Sequence, residues 1–382
     1  MTRYRALTWD HPRGYNALAA AAAGLDEARD GLAIGWEKQP LEGFEAHPID
    51  DLAARYDLIV IDHPHVGEAV AKNVLVPMEE LLGAEAVAAL EAESIGPSLS
   101  SYRFAGKHWA LPLDAATQVM ATRADLIGGS WPETWDAVIV VSETKPVALS
   151  LAGPHAALSF LSIATALGEP PAMSDPDVLV SAETGAAALD IMARLFARMP
   201  EAAKPLNPIG LLGLMAKTNA VALAPLVYGY VNYAAPADGA AKVTFRDAPR
   251  AGRGSRPGST LGGTGIAVSR RAEVTPALIG HLRWLLSEEA QTRFIPAHDG
   301  QPSRRAAWAD DAVNARWGNF YRNTAATLEA AYVRPRHDGY IAFQSEASAI
   351  IRDALAAGTP NRDTIALLND RYAAGRVPGG ER

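Results

Sequence analysis

Four consecutive apolar residues, Leu58–Ile61, lie between two aspartates, Asp57 and Asp62. A short unbroken apolar run of this kind is typical of a strand buried on both faces of a parallel sheet. A polar loop and a helix-like stretch, residues 66–72, follow directly. An earlier apolar run at residues 5–9 is likewise followed by a polar loop and a helix-like stretch. The sequence therefore predicts repeated strand–loop–helix units and an open α/β sheet.

The loops after these two strands are the first candidate binding segments. In an open α/β sheet, ligands bind outside the carboxyl ends of the strands. This rule selects residues 10–15 and 62–66, which are rich in carboxylate, imidazole, guanidinium and aromatic groups. An alternative role for each aspartate is to cap the helix that follows. The candidates from this region are Trp9, Asp10, His11, Arg13, Tyr15, Asp62, His63 and His65.

The chain of 382 residues is longer than one hydrophobic core supports, since single cores stop growing near about 250–300 residues. We therefore expect two lobes. A hairpin is predicted around Ala105-Gly106, and Pro112 is expected to limit its second strand. Pro112 and the Pro257-Gly258 pair are candidate hinge positions.

Composition excludes several classes of function. The net charge is -8 and no basic tract is present, so nucleic acid is not an expected partner. The most basic stretch, residues 246–256, is also rich in glycine and proline and is interpreted as a solvated loop rather than an anion site. The absence of cysteine excludes disulfides, thiolate nucleophiles and cysteine-ligated zinc.

Enzyme motifs are also missing. The sequence contains neither a G-x-S-x-G elbow nor a phosphate-binding G-x-x-x-x-G-K-[ST] loop, and a strand-like stretch rather than a helix follows the glycines at 262–265. His63 and His65 with Asp62 offer zinc-ligand types, but this spacing on a loop is weak support for a metal. We therefore expect no enzyme activity, no cofactor and no metal.

The sequence leaves the cellular location open. No segment reaches the roughly 18 apolar residues needed to cross a bilayer. The first residues, MTRYRALTW, carry two arginines and lead into a strand-like run without an apolar stretch that ends at a cleavage site. A periplasmic location is expected if a signal peptide was removed, and a cytoplasmic one if none was present.

Five motifs occur in an order that resembles a known family. They are DLIVID at residues 57–62 with VLVPMEEL at 74–81, FAGKHWALP at 104–112, PETWD at 132–136, GGTGIAV at 262–268, and GQPSR at 300–304 after the helix-like residues 282–291. In this order they resemble the extracellular solute-binding proteins of ABC importers, of the maltose-binding and sugar-binding type (family 1). The likeness covers nearly the whole chain.

The resemblance implies a type II periplasmic-binding-protein-like fold, with two lobes that are each a mixed sheet flanked by helices and a ligand cleft between them. The expected first lobe comprises residues 1–112 and 259–308, and the second comprises 113–258 and 309–382. Hinges are expected near 110–115 and 257–262. In a fold of this kind, seven further residues are candidates for ligand binding, namely Asp114, Gln118, Tyr228, Tyr230, Gly263, Thr264 and Arg304.

The resemblance also implies a function. A monomer is expected to capture a small molecule in the cleft, without turnover, and to deliver it to the membrane permease of an ABC importer. The family favours a sugar, whereas Arg13, His11, His63 and His65 favour a small organic acid. A cytoplasmic ligand sensor on the same fold is the alternative, followed by a metal-assisted hydrolase.

Overall fold

The computed structural model describes residues 2–129, 131–236 and 239–376, which form an α/β fold. The strands are β1 (Thr2–Trp9), β2 (Leu32–Gln39), β3 (Leu58–Ile61), β4 (Arg103–Phe104), β5 (Lys107–His108), β6 (Leu111–Thr122), β7 (Leu223–Tyr228), β8 (Thr244–Arg246) and β9 (Leu261–Val268). The helices of the first half are α1 (Pro12–Ala23), α2 (Glu27–Asp30), α3 (Leu41–Ala46), α4 (Ile49–Arg55), α5 (Val66–Ala71), α6 (Met78–Leu82), α7 (Ala84–Glu93), α8 (Ala124–Ile127), α9 (Trp135–Ser142) and α10 (His155–Ala166). Those of the second half are α11 (Ala182–Phe196), α12 (Pro208–Lys217), α13 (Pro276–Leu285), α14 (Ile295–Ala297), α15 (Arg305–Ala309), α16 (Asp311–Arg316), α17 (Phe320–Glu329), α18 (Tyr340–Ala357) and α19 (Asn361–Ala374).

One mixed sheet organises the molecule. Its strand order is β2-β1-β3-β9-β6-β7, with β8 paired to β6. Strand β1 is parallel to both β2 and β3, as the strand–loop–helix pattern predicts. Strand β9 returns antiparallel between β3 and β6 and so joins the two halves of the sheet. The carboxyl ends of β1 and β3 therefore open on the same edge.

Strand β3 is buried on both faces, as its unbroken apolar run predicts. Leu58 and Val60 pack into the main hydrophobic core, whereas Ile59 and Ile61 pack into a second cluster on the opposite face. The alternation of side chains along a strand explains this division. Because β3 is fixed from both sides, the loop that begins at Asp62 starts from a rigid position.

Strand β6 differs from the prediction at Pro112. The expected hairpin is formed by β4 and β5, but Pro112 does not limit the next strand, since β6 continues from Leu111 to Thr122. The register with β9 shifts between Pro112 and Asp114. A proline lacks the N–H for one ladder bond, and the sheet accommodates this with an irregularity rather than a strand end. One strand thus runs through a predicted hinge, and the exact lobe boundaries remain a prediction.

Candidate binding cleft

A small cavity of about 50 Å³ lies beyond the ends of β1, β3 and β7. The N-terminal wall comprises Trp9, Arg13, Leu41, Phe44, Glu45 and Asp62; the C-terminal wall comprises Pro154, Leu158, Tyr228, Tyr230, Arg334 and Gln344; and the floor comprises Gly262, Gly263 and Thr264 of β9.

Trp9 is the aromatic centre of the cavity. The His11 ring stacks on it with ring centroids 5.3 Å apart, and the rings of Phe44 and Tyr230 lie 6.0 and 5.9 Å away. Gly14 makes this position possible, because a Cβ at residue 14 would lie 2.1 Å from the indole Nε1. The glycine of the first loop therefore sets the position of an aromatic ring in the N-terminal wall.

Arg13 joins α1 to both β6 and the segment after β7. Its Nε and Nη2 donate to the two carboxylate oxygens of Asp114 at 2.8 and 2.5 Å, and its Nη1 donates to the carbonyl of Gly229 at 2.9 Å. Its guanidinium lies 4.8 Å from the Tyr230 ring centroid. Burial opposes the charge of Arg13, but the Asp114 carboxylate raises its pKa above the ordinary value. This cation is therefore already fully paired.

A second ion pair, between Asp62 and Arg334, joins the two walls directly. Arg334 Nη2 donates to Asp62 Oδ2 at 2.6 Å, and Nη1 donates to Gln344 Oε1 at 2.8 Å. Burial alone would raise the pKa of Asp62, but the adjacent Arg334 holds it well below its usual range. The Nε of Arg334 is buried without a hydrogen-bond partner. One donor of Arg334 is thus left without a partner in the protein.

A third polar contact joins the two walls. His155 Nε2 lies 3.3 Å from Glu45 Oε1, and its ring packs edge-on against Tyr228 at 5.8 Å between centroids. His155 begins α10, and Glu45 belongs to α3. Together with the Asp62–Arg334 pair and the bond from Arg13 to Gly229, this contact places the walls in a closed arrangement.

Comparison with solved structures identifies the architecture. An ABC transporter solute-binding protein from Agrobacterium radiobacter K84, in complex with ribitol, matches with a TM-score of 0.81 at 20% identity, over 98% of each chain. Maltose-bound MalE3 of T. maritima matches with a TM-score of 0.80 at 17% identity, over 97% of this chain and 98% of that one. The GacH receptor of Streptomyces glaucescens, studied with acarbose, matches with a TM-score of 0.79 at 16% identity, over 98% of each chain.

The chain has the two-lobed fold of ABC transporter solute-binding proteins. The predicted fold class is thereby confirmed. No protein-family model matches the sequence, and no curated protein matches it significantly.

Seven of the fifteen predicted site residues of this solute-binding-protein fold line the cleft. They are Trp9, Arg13, Asp62, Tyr228, Tyr230, Gly263 and Thr264. Gly263 has a φ of +91°, and a Cβ there would lie 2.3 Å from the carbonyl oxygen of Asp114. Position 263 therefore requires glycine, so that β9 can approach β6 at the floor. Asp114 contributes behind the wall, through Arg13.

The two histidines of the second loop lie behind Asp62. Both His63 and His65 are buried, and burial lowers the pKa of each, to about 4 for His63, with the Arg334 charge adding to the effect. Burial also lowers the pKa of His11, to about 3, with Arg13 as the next cause. These three imidazoles are therefore neutral near pH 7. They do not supply positive charge to the cleft.

The other predicted residues lie outside the cavity wall. Asp10 pairs with Lys38 at 2.7 Å, and the Lys38 ammonium also lies 4.8 Å from the Tyr15 ring centroid. Gln118 is buried, and its Oε1 accepts a hydrogen bond from Ser162 at 2.5 Å. Arg304 pairs with Glu93 at 2.6 Å, at a separate surface. These four side chains are occupied by local contacts.

Sequence reasoning missed half of the N-terminal wall, most of the C-terminal wall and one residue of the floor. The lining residues that were not predicted are Leu41, Phe44, Glu45, Pro154, Leu158, Gly262, Arg334 and Gln344. The sheet-edge rule could not find Arg334, because it follows α17 rather than a strand of the parallel sheet. An arginine between Val333 and Pro335 carries no motif that marks it as a cleft residue.

Among residues 2–129, 131–236 and 239–376, no group of three or more metal-ligating side chains is placed to hold a metal ion. Over the same ranges, no helix combines the length and the apolar character that a membrane crossing requires.

Proposed function

We propose that this protein is the solute-binding component of an ABC importer and that it binds a small, neutral, polyhydroxylated solute in the cleft without altering it. The observation that carries the proposal is the charge pairing inside a cleft of this fold. Both buried guanidiniums of the cleft, Arg13 and Arg334, form hydrogen-bonded ion pairs with carboxylates. A neutral ligand leaves both pairs intact.

The cleft offers complementary groups for hydroxyls. A hydroxyl donates one hydrogen bond and accepts others, so it can bind both members of an ion pair at once. Asp62 supplies acceptor oxygens, and the unpartnered Nε–H of Arg334 supplies a donor. The rings of Trp9 and Tyr230 supply flat apolar faces for the carbon skeleton. This combination suits a sugar or polyol.

A small organic acid fits the cleft less well. Its carboxylate would have to compete with Asp114 for Arg13 or with Asp62 for Arg334. A carboxylate displaced in this way would be left buried without its cation, which is strongly destabilising. The neutral state of His63 and His65 removes the other expected source of positive charge.

The proposed role also specifies how the cleft closes, which protein receives the solute and where in the cell the protein acts. The solute would bind the open form and be enclosed when the walls meet through the Asp62–Arg334 and Glu45–His155 contacts. The partner would then be a membrane permease that recognises the closed monomer, and the location would be the periplasm.

The experiment is a calorimetric titration with ribitol, mannitol, tagatose, maltose, succinate and benzoate. We expect at least one sugar or polyol to bind to the cleft and to raise the melting temperature. The bound compound should be recovered unchanged, as judged by NMR. Cleft binding of the acids alone would overturn the neutral-solute proposal, and chemical conversion of a compound would overturn the binding-only role.

A further inference from the structure

A second cavity, of about 200 Å³, lies next to the cleft. Arg334 lines both cavities, so the segment from Tyr332 to His337 separates them. The walls of the second cavity are Pro171, Ala172, Met173, Pro176, Tyr332, Val333, Arg334, Pro335, Arg336, His337, Tyr372 and Arg376. This set is named the rear pocket. Three prolines, Met173 and two tyrosines give it a largely apolar surface.

Arg336 is the unusual group of the rear pocket. Its Nη1 donates to the carbonyls of Ser100 and Ser101 at 3.1 and 2.9 Å, and its Nε is buried without a partner. Within the described parts of the chain it forms no ion pair with a carboxylate, and burial lowers its pKa. Its positive charge is therefore uncompensated, unlike that of Arg376, which pairs with Asp177.

His337 adds an unsatisfied polar atom to the same pocket. Its side chain is more than nine-tenths buried, and its Nε2 has no hydrogen-bond partner. The rings of Tyr340 and Tyr372 pack edge-on against it at 5.7 and 5.8 Å between centroids. Burial and the nearby Arg376 lower the pKa of this imidazole, while Asp338 raises it. A buried ring nitrogen without a hydrogen-bond partner is rare unless a ligand or water forms that hydrogen bond.

We propose that the rear pocket binds a small organic anion, with its carboxylate between Arg336 and His337 and its apolar body against the prolines and Met173. An anion supplies the missing counter-charge for the guanidinium and accepts from the imidazole N–H. Access is provided by an open groove that shares Pro176, Arg336 and Arg376 with the pocket. This site is separate from the proposed solute cleft, and it requires an anion where the cleft requires a neutral molecule.

The probe is benzoate, with benzylammonium as the charge-reversed control. We expect benzoate, and not benzylammonium, to bind and to shift the ring signals of His337, identified by their loss in His337→Gln. The same binding should persist when the cleft is saturated with the sugar or polyol found there. Benzoate displaced by that solute would assign it to the cleft and overturn the proposal.

Four variants locate the site. Arg336→Gln should weaken benzoate about tenfold or more, because a charged hydrogen bond is lost, whereas Arg103→Gln in the neighbouring groove should change it less than about twofold. Arg336 also contacts Ser100 and Ser101, so a second pair avoids that contact. Met173 is 63% exposed, and Met173→Asp should weaken benzoate by repulsion while Met173→Asn should not. Unchanged affinity in both Arg336→Gln and Met173→Asp would overturn the proposal, and cleft binding measured in parallel reports on the solute function independently.

Discussion

The cleft and the rear pocket share one segment of chain but balance their charges in opposite ways. In the cleft, Arg13 and Arg334 each form an ion pair with a buried carboxylate. In the rear pocket, Arg336 has carbonyl partners only. The number of arginines alone would suggest that both cavities bind anions. The hydrogen-bond partners of these arginines show the difference: the cleft is suited to neutral hydroxyls, and the rear pocket is suited to a carboxylate.

The largest expected effect comes from removing the cation that joins the two walls. Arg334→Met leaves Asp62 buried without its partner, which typically costs about 2–5 kcal/mol. We expect cleft solute affinity, measured by calorimetry, to fall at least about thirtyfold. Arg371→Met, which removes an exposed arginine paired with Glu346 at 3.3 Å, should have almost no effect.

A double variant sharpens this test. Adding Asp62→Asn to Arg334→Met removes the unpaired charge and should recover part of the lost affinity. If the double variant binds no better than Arg334→Met alone, the loss does not arise from an unpaired Asp62, and the charge-pairing account of the cleft fails.

The next effect concerns the aromatic wall. Tyr230 lines the cleft and packs on Arg13 and Trp9, so Tyr230→Ala should weaken solute binding about tenfold or more, since a buried aromatic contact is lost. Tyr233→Ala is the matched control, because Tyr233 lies three residues away and bonds to the Ile209 carbonyl instead. Benzoate binding should be the same in both variants. Equal solute affinity in the two variants would remove Tyr230 from the site.

The pH dependence separates binding from stability. Burial lowers the pKa of His63 to about 4 and of His11 to about 3, and Arg334 keeps the pKa of Asp62 low. No charge change of these three groups is expected between about pH 5 and 8, so they should add no pH dependence to the solute affinity in that range.

The free energy of unfolding should fall as the pH is lowered through part of the same range. The unfolded His63 binds a proton below its ordinary pKa, and the folded one does not until about 4. Its contribution is complete above about pH 6.5 and is lost as the pH falls toward 4, by roughly 3 kcal/mol. Urea unfolding at several pH values measures this loss. A solute affinity that changed with the same midpoint would show that an imidazole titrates in the cleft.

The smallest expected effect is at Arg304, which the sequence resemblance places among the ligand residues. The structure pairs it with Glu93, outside the cleft. Arg304→Gln should therefore change solute affinity by less than about twofold. A tenfold loss in the calorimetric titration would show that the cleft extends to this surface.

Local sequence patterns predict the strands of the sheet and the binding loops that follow them. The apolar run of β3 and the polar loops after β1 and β3 locate Trp9, Arg13 and Asp62 at the cleft. The pairing of those residues was not predictable, because it depends on which distant side chain meets them. Asp114 and Arg334 turn two apparent charges into neutral pairs, and the packing behind Asp62 turns two histidines into neutral core residues.

The ion pair between Asp62 and Arg334 also has a consequence for folding. The two residues are 272 positions apart, and Arg13 and Gly229 are 216 apart. Closing such long loops costs entropy before any contact forms, so these links belong to the late steps of folding. A nascent chain that has not yet reached Arg334 has Asp62, in its second binding loop, without a counter-ion. We therefore expect the solute to stabilise the finished protein without accelerating its folding.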